Sequence, residues 1–148
     1  MRIDETDRKI IQLLQHDARQ SNAALARTIG VSEATVRRRI KLLVEDGTVT
    51  MRAEPNPVKF GLNTTAMIGI DVAPEKLEQV AQSIERREEV SFLAISTGRY
   101  DLVAWILVST LDELKTFLET FLVKVPGIRK TETMVVLDIR KRFIGRIA

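Results

Sequence analysis

The chain has no cysteine and a single histidine, His16. Disulfides and thiolate metal sites are therefore excluded, and the absence of cysteine fits a reducing compartment. No metal-ligand spacing and no acid–base pair with a partner can be assembled from what remains. None of the seven glycines belongs to a phosphate-binding motif. His16 falls near an expected helix end, where a helix-dipole or solvent role is the ordinary one. An enzyme is accordingly not expected, nor any cofactor or metal. No apolar run approaches the roughly 18 residues of a membrane span. The N-terminus, MRIDETDRK, opens with charges rather than a signal peptide. A cytoplasmic protein without a membrane partner is expected.

What is present is ordinary in amount and uneven in placement. Hydrophobic residues make up 45% and charged residues 29% of 148, as in a soluble globular protein. The net charge is +3, too small by itself to argue for nucleic acid. Residues 1–60 hold 11 Lys and Arg against 8 Asp and Glu, whereas residues 61–148 hold 12 of each. The whole excess lies in the first part, a small basic module joined to a neutral one.

Three helical patterns fill the basic part. Asp4 suits an N-cap, with Glu5 and Asp7 near the positive end of the helix dipole. Ile10, Leu13 and Leu14 follow on one face, to an end near His16. Ser21 suits the cap of a second helix with Leu25, Ala26 and Ile29 on its apolar face, and Gly30 suits a left-handed C-terminus. Ser32 caps a third after only Gly30 and Val31. Two short helices across so tight a turn form a helix-turn-helix. In the third, Val36, Ile40 and Leu43 share a face. At about 100° per residue, Arg38 lies nearly opposite that stripe, with Arg37 and Arg39 on the two flanks. A charge run on a helix is usually a solvated face. On the second helix of a tight helix-turn-helix, it has the shape to clamp phosphates while N-terminal residues meet base edges in a major groove. After Gly47, TVTMR alternates as an edge strand would, and a strand pair there would form a wing carrying Arg52.

The stretch ARQSNAALARTIGVSEATVRRRIKLLVEDGTVT, with IDETDRKIIQLLQHDAR before it, resembles the winged helix-turn-helix of the Lrp/AsnC (feast/famine) transcription regulators. The resemblance covers most of residues 2–57. It implies double-stranded DNA as partner, with Ser21, Ser32, Glu33, Thr35, Arg37, Arg38 and Arg39 as contacting residues. One departure is Ala24, where the family often has a Glu that completes a capping box with Ser21.

The second part reads strand, helix, strand, strand, helix, strand. Residues 65–72 and 90–96 are strand-like. Residues 102–108, apolar throughout, suggest a strand covered on both faces. Pro74 suits a helix start, with Leu77, Val80, Ala81 and Ile84 buried. Thr110 and Glu113 form a capping box ahead of a wide apolar face of Leu111, Leu114, Phe117, Leu118, Phe121 and Leu122. Residues 134–139 are the last strand. This βαββαβ order is ferredoxin-like. Both helices then lie on one side of the sheet, and an apolar face left open is an interface, most simply with a second copy.

The segment TGRYD, residues 97–101, is by itself a hairpin turn with Gly98 free to take positive φ. Within the family resemblance it is similar to the glycine-aspartate loop of the regulatory (RAM) domain, which binds small effectors, often amino acids. Exposed N–H groups of a tight turn suit a carboxylate, and Asp101 suits an ammonium group. Thr97, Gly98, Arg99, Tyr100 and Asp101, with Thr131 and Thr133 of a second segment, are the effector residues this implies. Arg99 is not typical at its position. It is placed to neutralise an acidic ligand, to face solvent or to meet a neighbouring dimer.

The expectation is an α+β chain: a winged helix-turn-helix over 1–57, a hinge or short helical turn over 58–62, and a ferredoxin-like effector-binding and oligomerisation domain over 63–148. The resemblance further implies a prokaryotic, nucleoid-associated homodimer assembling to higher oligomers such as octamers. The alternative from another class is a pure small-molecule sensor of the ACT-like kind, its N-terminal helices making protein contacts. The basic tail DIRKRFIGRIA is read as solvated or as an interface segment.

Overall fold

The computed structural model describes residues 2–141. They divide into two compact units between Glu54 and Pro55.

The first unit is helical. Its helices are α1 (Glu5–His16), α2 (Asn22–Ile29) and α3 (Glu33–Glu45). Each starts where a side chain satisfies a free N–H. Asp4 accepts from the Asp7 N–H at 2.9 Å, and Asp7 returns the bond to the Asp4 N–H at 3.0 Å, a reciprocal capping box. Ser21 accepts from the Ala24 N–H at 3.2 Å and Ser32 from the Thr35 N–H at 3.1 Å. Gly30 ends α2 at φ 84°. The core is Ile10, Ile11, Leu25, Ala26, Val36 and Leu43, with Leu13, Leu14, Ile29, Val31, Ile40 and Val49 packed around it. The buried stripe of α1 thus centres on Ile10 and Ile11, earlier than the expected face.

The expected wing strand is not formed. Residues 48–52 carry no strand; the Thr48 N–H bonds the Asp46 carboxylate, the Val49 N–H bonds the Leu43 carbonyl, and Met51 is exposed. A ladder needs a second strand, and the following segment, with Pro55 and Pro57 lacking N–H groups, supplies none. In the second unit Asn56 caps a 3-10 turn over Pro57–Phe60, closed by Gly61.

The rest of the second unit is a four-stranded sheet with two helical segments on one side. The strands are β1 (Thr64–Val72), β2 (Val90–Ile95), β3 (Leu102–Val108) and β4 (Ile128–Val136), in the order β2-β3-β1-β4. All three pairings are antiparallel, the ferredoxin-like arrangement. One face carries Ala66, Ile68, Ile70 and Val72 of β1 and Leu102, Ala104, Ile106 and Val108 of β3. Against it pack Val80, Ala81 and Ile84 of α4 (Leu77–Glu85), then Leu114 of α5 (Leu111–Thr116), with Phe117 and Leu122 following.

Four expectations change here. β3 alternates strictly between buried and half-buried residues, so one of its faces is only partly covered within the chain. β4 begins six residues before the expected 134, because Arg129, Lys130 and Glu132 sit on an edge strand that tolerates charge. The second helix is short: a π turn (Phe117–Phe121) and a 3-10 turn (Leu122–Lys124) follow α5. Leu111, at the first position of α5, is 61% exposed instead of in the apolar face. The Glu113 carboxylate bonds the Ser109 N–H rather than that of the cap residue Thr110. Of the tail, residues 142–148 lie outside the described residues, and the described part holds an Arg140–Asp138 pair at 3.1 Å.

Ile106 is fully buried at the centre of the sheet. Ile106→Ala is expected to lower the unfolding free energy by about 2–5 kcal/mol, measured by denaturant titration.

Candidate functional site

Two places in the chain gather polar groups beyond what the fold needs. The first is α3. Arg38 is exposed and has no partner among the described residues. Arg37 is exposed and pairs with Glu33 one turn back at 3.2 Å. The Ser32 hydroxyl, beyond its capping bond, lies 2.8 Å from that of Thr35. Ser21 at the start of α2 is also exposed.

Arg39 departs from the expected fan of three. It points to the start of α1, with Nη2 2.8 Å from Asp4 and Nη1 3.2 Å from Asp7. Asp7 has no solvent exposure, whereas the Arg39 side chain retains 25%. The reason lies in helical spacing. Arg39 is three residues after Val36 and four before Leu43, so its flank borders the buried stripe. Asp7 is three and four residues before Ile10 and Ile11, on the buried side of α1. A carboxylate there requires a cation, and that spacing is the signal by which the pair was legible. The Asp7 N–H, and after it the Arg39 guanidinium, hold the Asp4 carboxyl below its usual range.

The second place is the 97–101 loop. Gly98 has φ 106° and open space where a side chain would stand, so the turn is formed and accessible. The Ser96 N–H bonds the Asp101 carbonyl, and the Ser96 hydroxyl bonds the Tyr100 carbonyl. The Asp101 carboxylate accepts from the Val72 N–H at 2.8 Å, where β1 shifts register against β4. Asp101 therefore ties the loop to β1, and that oxygen is already engaged.

Tyr100 crosses the other face of the sheet. Its ring lies over Gly69 of β1, where an added Cβ would come within 2.5 Å of ring carbons. No other residue would allow that approach without displacing the ring. The ring reaches Glu132 on β4, to whose carboxylate the Tyr100 hydroxyl donates. Arg99 also bonds Glu132, at 2.7 Å, and its guanidinium sits 5.2 Å from the Tyr100 ring centre. The hydrogen bond to Glu132 pushes the Tyr100 phenol above its usual value. The Tyr100 hydroxyl, followed by the Arg99 charge, holds the Glu132 carboxyl below its usual range.

The structure brings together Thr97, Gly98, Arg99, Tyr100 and Asp101, and it adds Glu132 and Gly69, which the sequence did not single out. Thr131 and Thr133 belong elsewhere. They pair with Ile70 and Ile68, whose side chains are in the core, so the two threonines lie on the helix side of β4. Glu132 between them alternates to the Tyr100 side. A groove of about 600 Å³ also opens in this unit between Arg86–Glu89 and Leu107–Val108, and no residue of the loop lines it. Among the described residues no group of His, Asp or Glu is placed to hold a metal ion. No helix among them is long and apolar enough to cross a membrane.

The AsnC-type helix-turn-helix domain matches residues 3–52, and the Lrp/AsnC ligand binding domain matches residues 65–144. The chain belongs to the Lrp/AsnC family of transcriptional regulators. An uncharacterised HTH-type transcriptional regulator from Pyrococcus furiosus is 38% identical over 98% of this chain and 99% of its own. Among solved structures, AsnC of E. coli superposes with a TM-score of 0.90 at 28% identity, covering 97% of this chain and 99% of that one. A transcriptional regulator from Neisseria meningitidis, solved as a complex with L-Met, superposes with a TM-score of 0.88 at 26% identity, over 95% and 94%. This regulator is thus a DNA-binding protein of the Lrp/AsnC type, and its family is not one of enzymes.

Tyr100 is the sole tyrosine, so phenolate absorbance reports it alone. Its phenol should ionise above the ordinary value of about 10. Because the folded value is raised, the bond's contribution is complete below the unfolded value and fades as pH rises through the folded one. Glu132→Gln and Gly69→Ala should each bring the midpoint back toward the ordinary value. An unmoved midpoint in both would contradict the contact.

Proposed function

We propose that α3 enters the major groove of double-stranded DNA with Arg38 and Arg37 against phosphates and base edges. Ser21, Ser32, Glu33 and Thr35 stand at the N-terminal ends of α2 and α3, nearest the bases. The observation that carries this reading is Arg38: exposed, unpaired among the described residues, and opposite the buried stripe of α3. In this reading Arg39 is not a DNA contact. Residues 1–57 act as the DNA-binding domain and residues 63–148 as the effector-binding and oligomerisation domain, joined through 58–62.

The effector is a small molecule, an amino acid by class. Its carboxylate meets the exposed turn at Thr97 and Gly98, and the charged pair of Arg99 and Glu132 meets the rest of it. Asp101 holds the loop in place. The accessible Gly98 turn supports this, as does the L-Met bound by the Neisseria relative. Thr131 and Thr133, on the opposite side of β4, take no part unless a second copy brings them near.

The open sheet face packs against a second copy. It carries Phe92 at 54% exposure, with Met67, Val103, Trp105 and Met134. Two-fold pairing of the heads suits a two-fold operator, and further assembly, to octamers, multiplies the contacts. An effector that favours one assembly changes DNA occupancy through its difference in affinity for the two states. The site of action is the nucleoid of a prokaryotic cytoplasm.

Two measurements test this reading. Arg38→Ala should weaken duplex binding and reduce the slope of log K against log salt by about one. An unchanged slope would remove Arg38 from the interface. A thermal-shift screen against the twenty amino acids should show stabilisation by one or a few, diminished in Arg99→Ala. A shift indifferent to Arg99→Ala would move the effector away from this loop.

A further inference from the structure

We infer that Arg39, with Asp4 and Asp7, is a positioning clamp that sets the roll of α3 and hence its sequence discrimination. The inference rests on α3 being the DNA-reading helix. Its basis is the geometry of one guanidinium. Nη1 reaches Asp7 and Nη2 reaches Asp4, so the fork closes on both carboxylates of the α1 capping box. Each carboxylate already caps a backbone N–H of the other residue. The start of α1 and the middle of α3 are thereby joined through two ion pairs, with the two capping bonds behind them.

Packing of α3 against α1 and α2 restrains this degree of freedom through a small core only. The contacts of α3 with the core run through Val36, Ile40 and Leu43, a single stripe along one side of the helix. Contacts confined to one stripe, even between two helices, oppose rotation about the helix axis less than they oppose translation. Arg39 stands off that line, on the flank, so an ion pair there opposes rotation. A helix with side chains is about 5–6 Å in radius, so a roll of roughly 10° moves its surface by about 1 Å. Functional constellations tolerate only about 0.5 Å and 10–20°.

The burial points the same way. Asp7 has no exposure, and the Arg39 Nε is buried without a hydrogen-bond partner among the described residues. A surface arginine for phosphate contact needs neither. A buried carboxylate is retained at the cost of desolvation, and its best-attested use is to fix one geometry among several. The chain therefore divides three consecutive arginines between two tasks. Arg37 and Arg38 face outward, while Arg39 holds the angle at which they do so.

The sign of one substitution separates clamp from contact. Asp7→Asn removes a negative charge from a DNA-binding head. If Arg39 were a phosphate contact restrained by Asp7, the change would strengthen binding to any duplex. A clamp requires the opposite for the preferred sequence. The probes are a duplex selected from a random pool by the wild-type full chain, and an unrelated duplex of equal length. Asp7→Asn should lower the ratio of the two affinities about tenfold, the size of one mismatched base pair, with the unrelated duplex bound as well or better. Arg39→Gln should lower the ratio similarly and leave the salt slope unchanged, while Arg38→Gln lowers the slope.

The double variant Asp7→Asn with Arg39→Gln leaves no unpaired buried charge, so it serves if a single variant unfolds. Its ratio should stay low even where its melting temperature returns to the wild-type value. A wild-type ratio in the folded double variant would overturn the clamp. A salt slope reduced by Arg39→Gln as much as by Arg38→Gln would make Arg39 a contact instead. A wild-type salt slope in Arg38→Gln would overturn the DNA reading of α3, and with it the clamp's part in discrimination, whereas a wild-type ratio in the double variant overturns the clamp alone.

Discussion

A carboxylate without solvent exposure must find a cation, and in this chain Asp7 finds Arg39. Much of the first unit is organised around that requirement. It sets the start of α1, because Asp7 and Asp4 cap each other. It binds α1 to α3 beyond what the small core of Ile10, Ile11, Leu25, Ala26, Val36 and Leu43 supplies. It also removes one of three adjacent arginines from the exposed face, leaving Arg37 and Arg38. A unit this small buries little apolar surface, so a charged cross-brace carries weight in it that a larger core would make dispensable.

In the second unit the comparable constraint is steric. Gly69 leaves a gap in the middle strand, and the Tyr100 ring occupies it. Through that gap the 97–101 loop reaches across β1 to Glu132 on β4. The loop is thus held at two ends, by Asp101 on the Val72 N–H and by Tyr100 on Glu132. Gly98 remains open between them. A turn fixed by its flanks and free at its tip presents N–H groups without having to order them on binding, which favours ligand capture. The same device places a charged pair, Arg99 and Glu132, beside the tip.

The sequence revealed those features that depend on local chemistry. Caps at Asp4, Ser21 and Ser32, the left-handed Gly30 and the bounds of β3 follow from residue type and spacing, and the structure has them. The order of elements in the second unit was legible for the same reason. What was misread depends on distant partners. Residues 48–52 alternate like a strand but have no neighbour to pair with among the described residues. β4 reaches back to Ile128 through Arg129 and Glu132, whose charges conceal the strand in the sequence. Each is instead matched across the sheet, Arg129 to Asp71 and Glu132 to Tyr100 and Arg99. The angle of Arg39 on α3 alone predicts exposure, whereas its partner Asp7 lies on the facing helix and is buried. Thr131 and Thr133 were assigned by resemblance, and only the strand register shows that they face away from the loop.

The central claim is that paired α3 helices read successive major grooves. Hydroxyl-radical footprinting of the full chain on a selected duplex tests it most directly. Protected windows about one helical turn apart on one side of the duplex are expected, both lost with Arg38→Ala. Uniform protection, or windows that survive loss of Arg38, would contradict it.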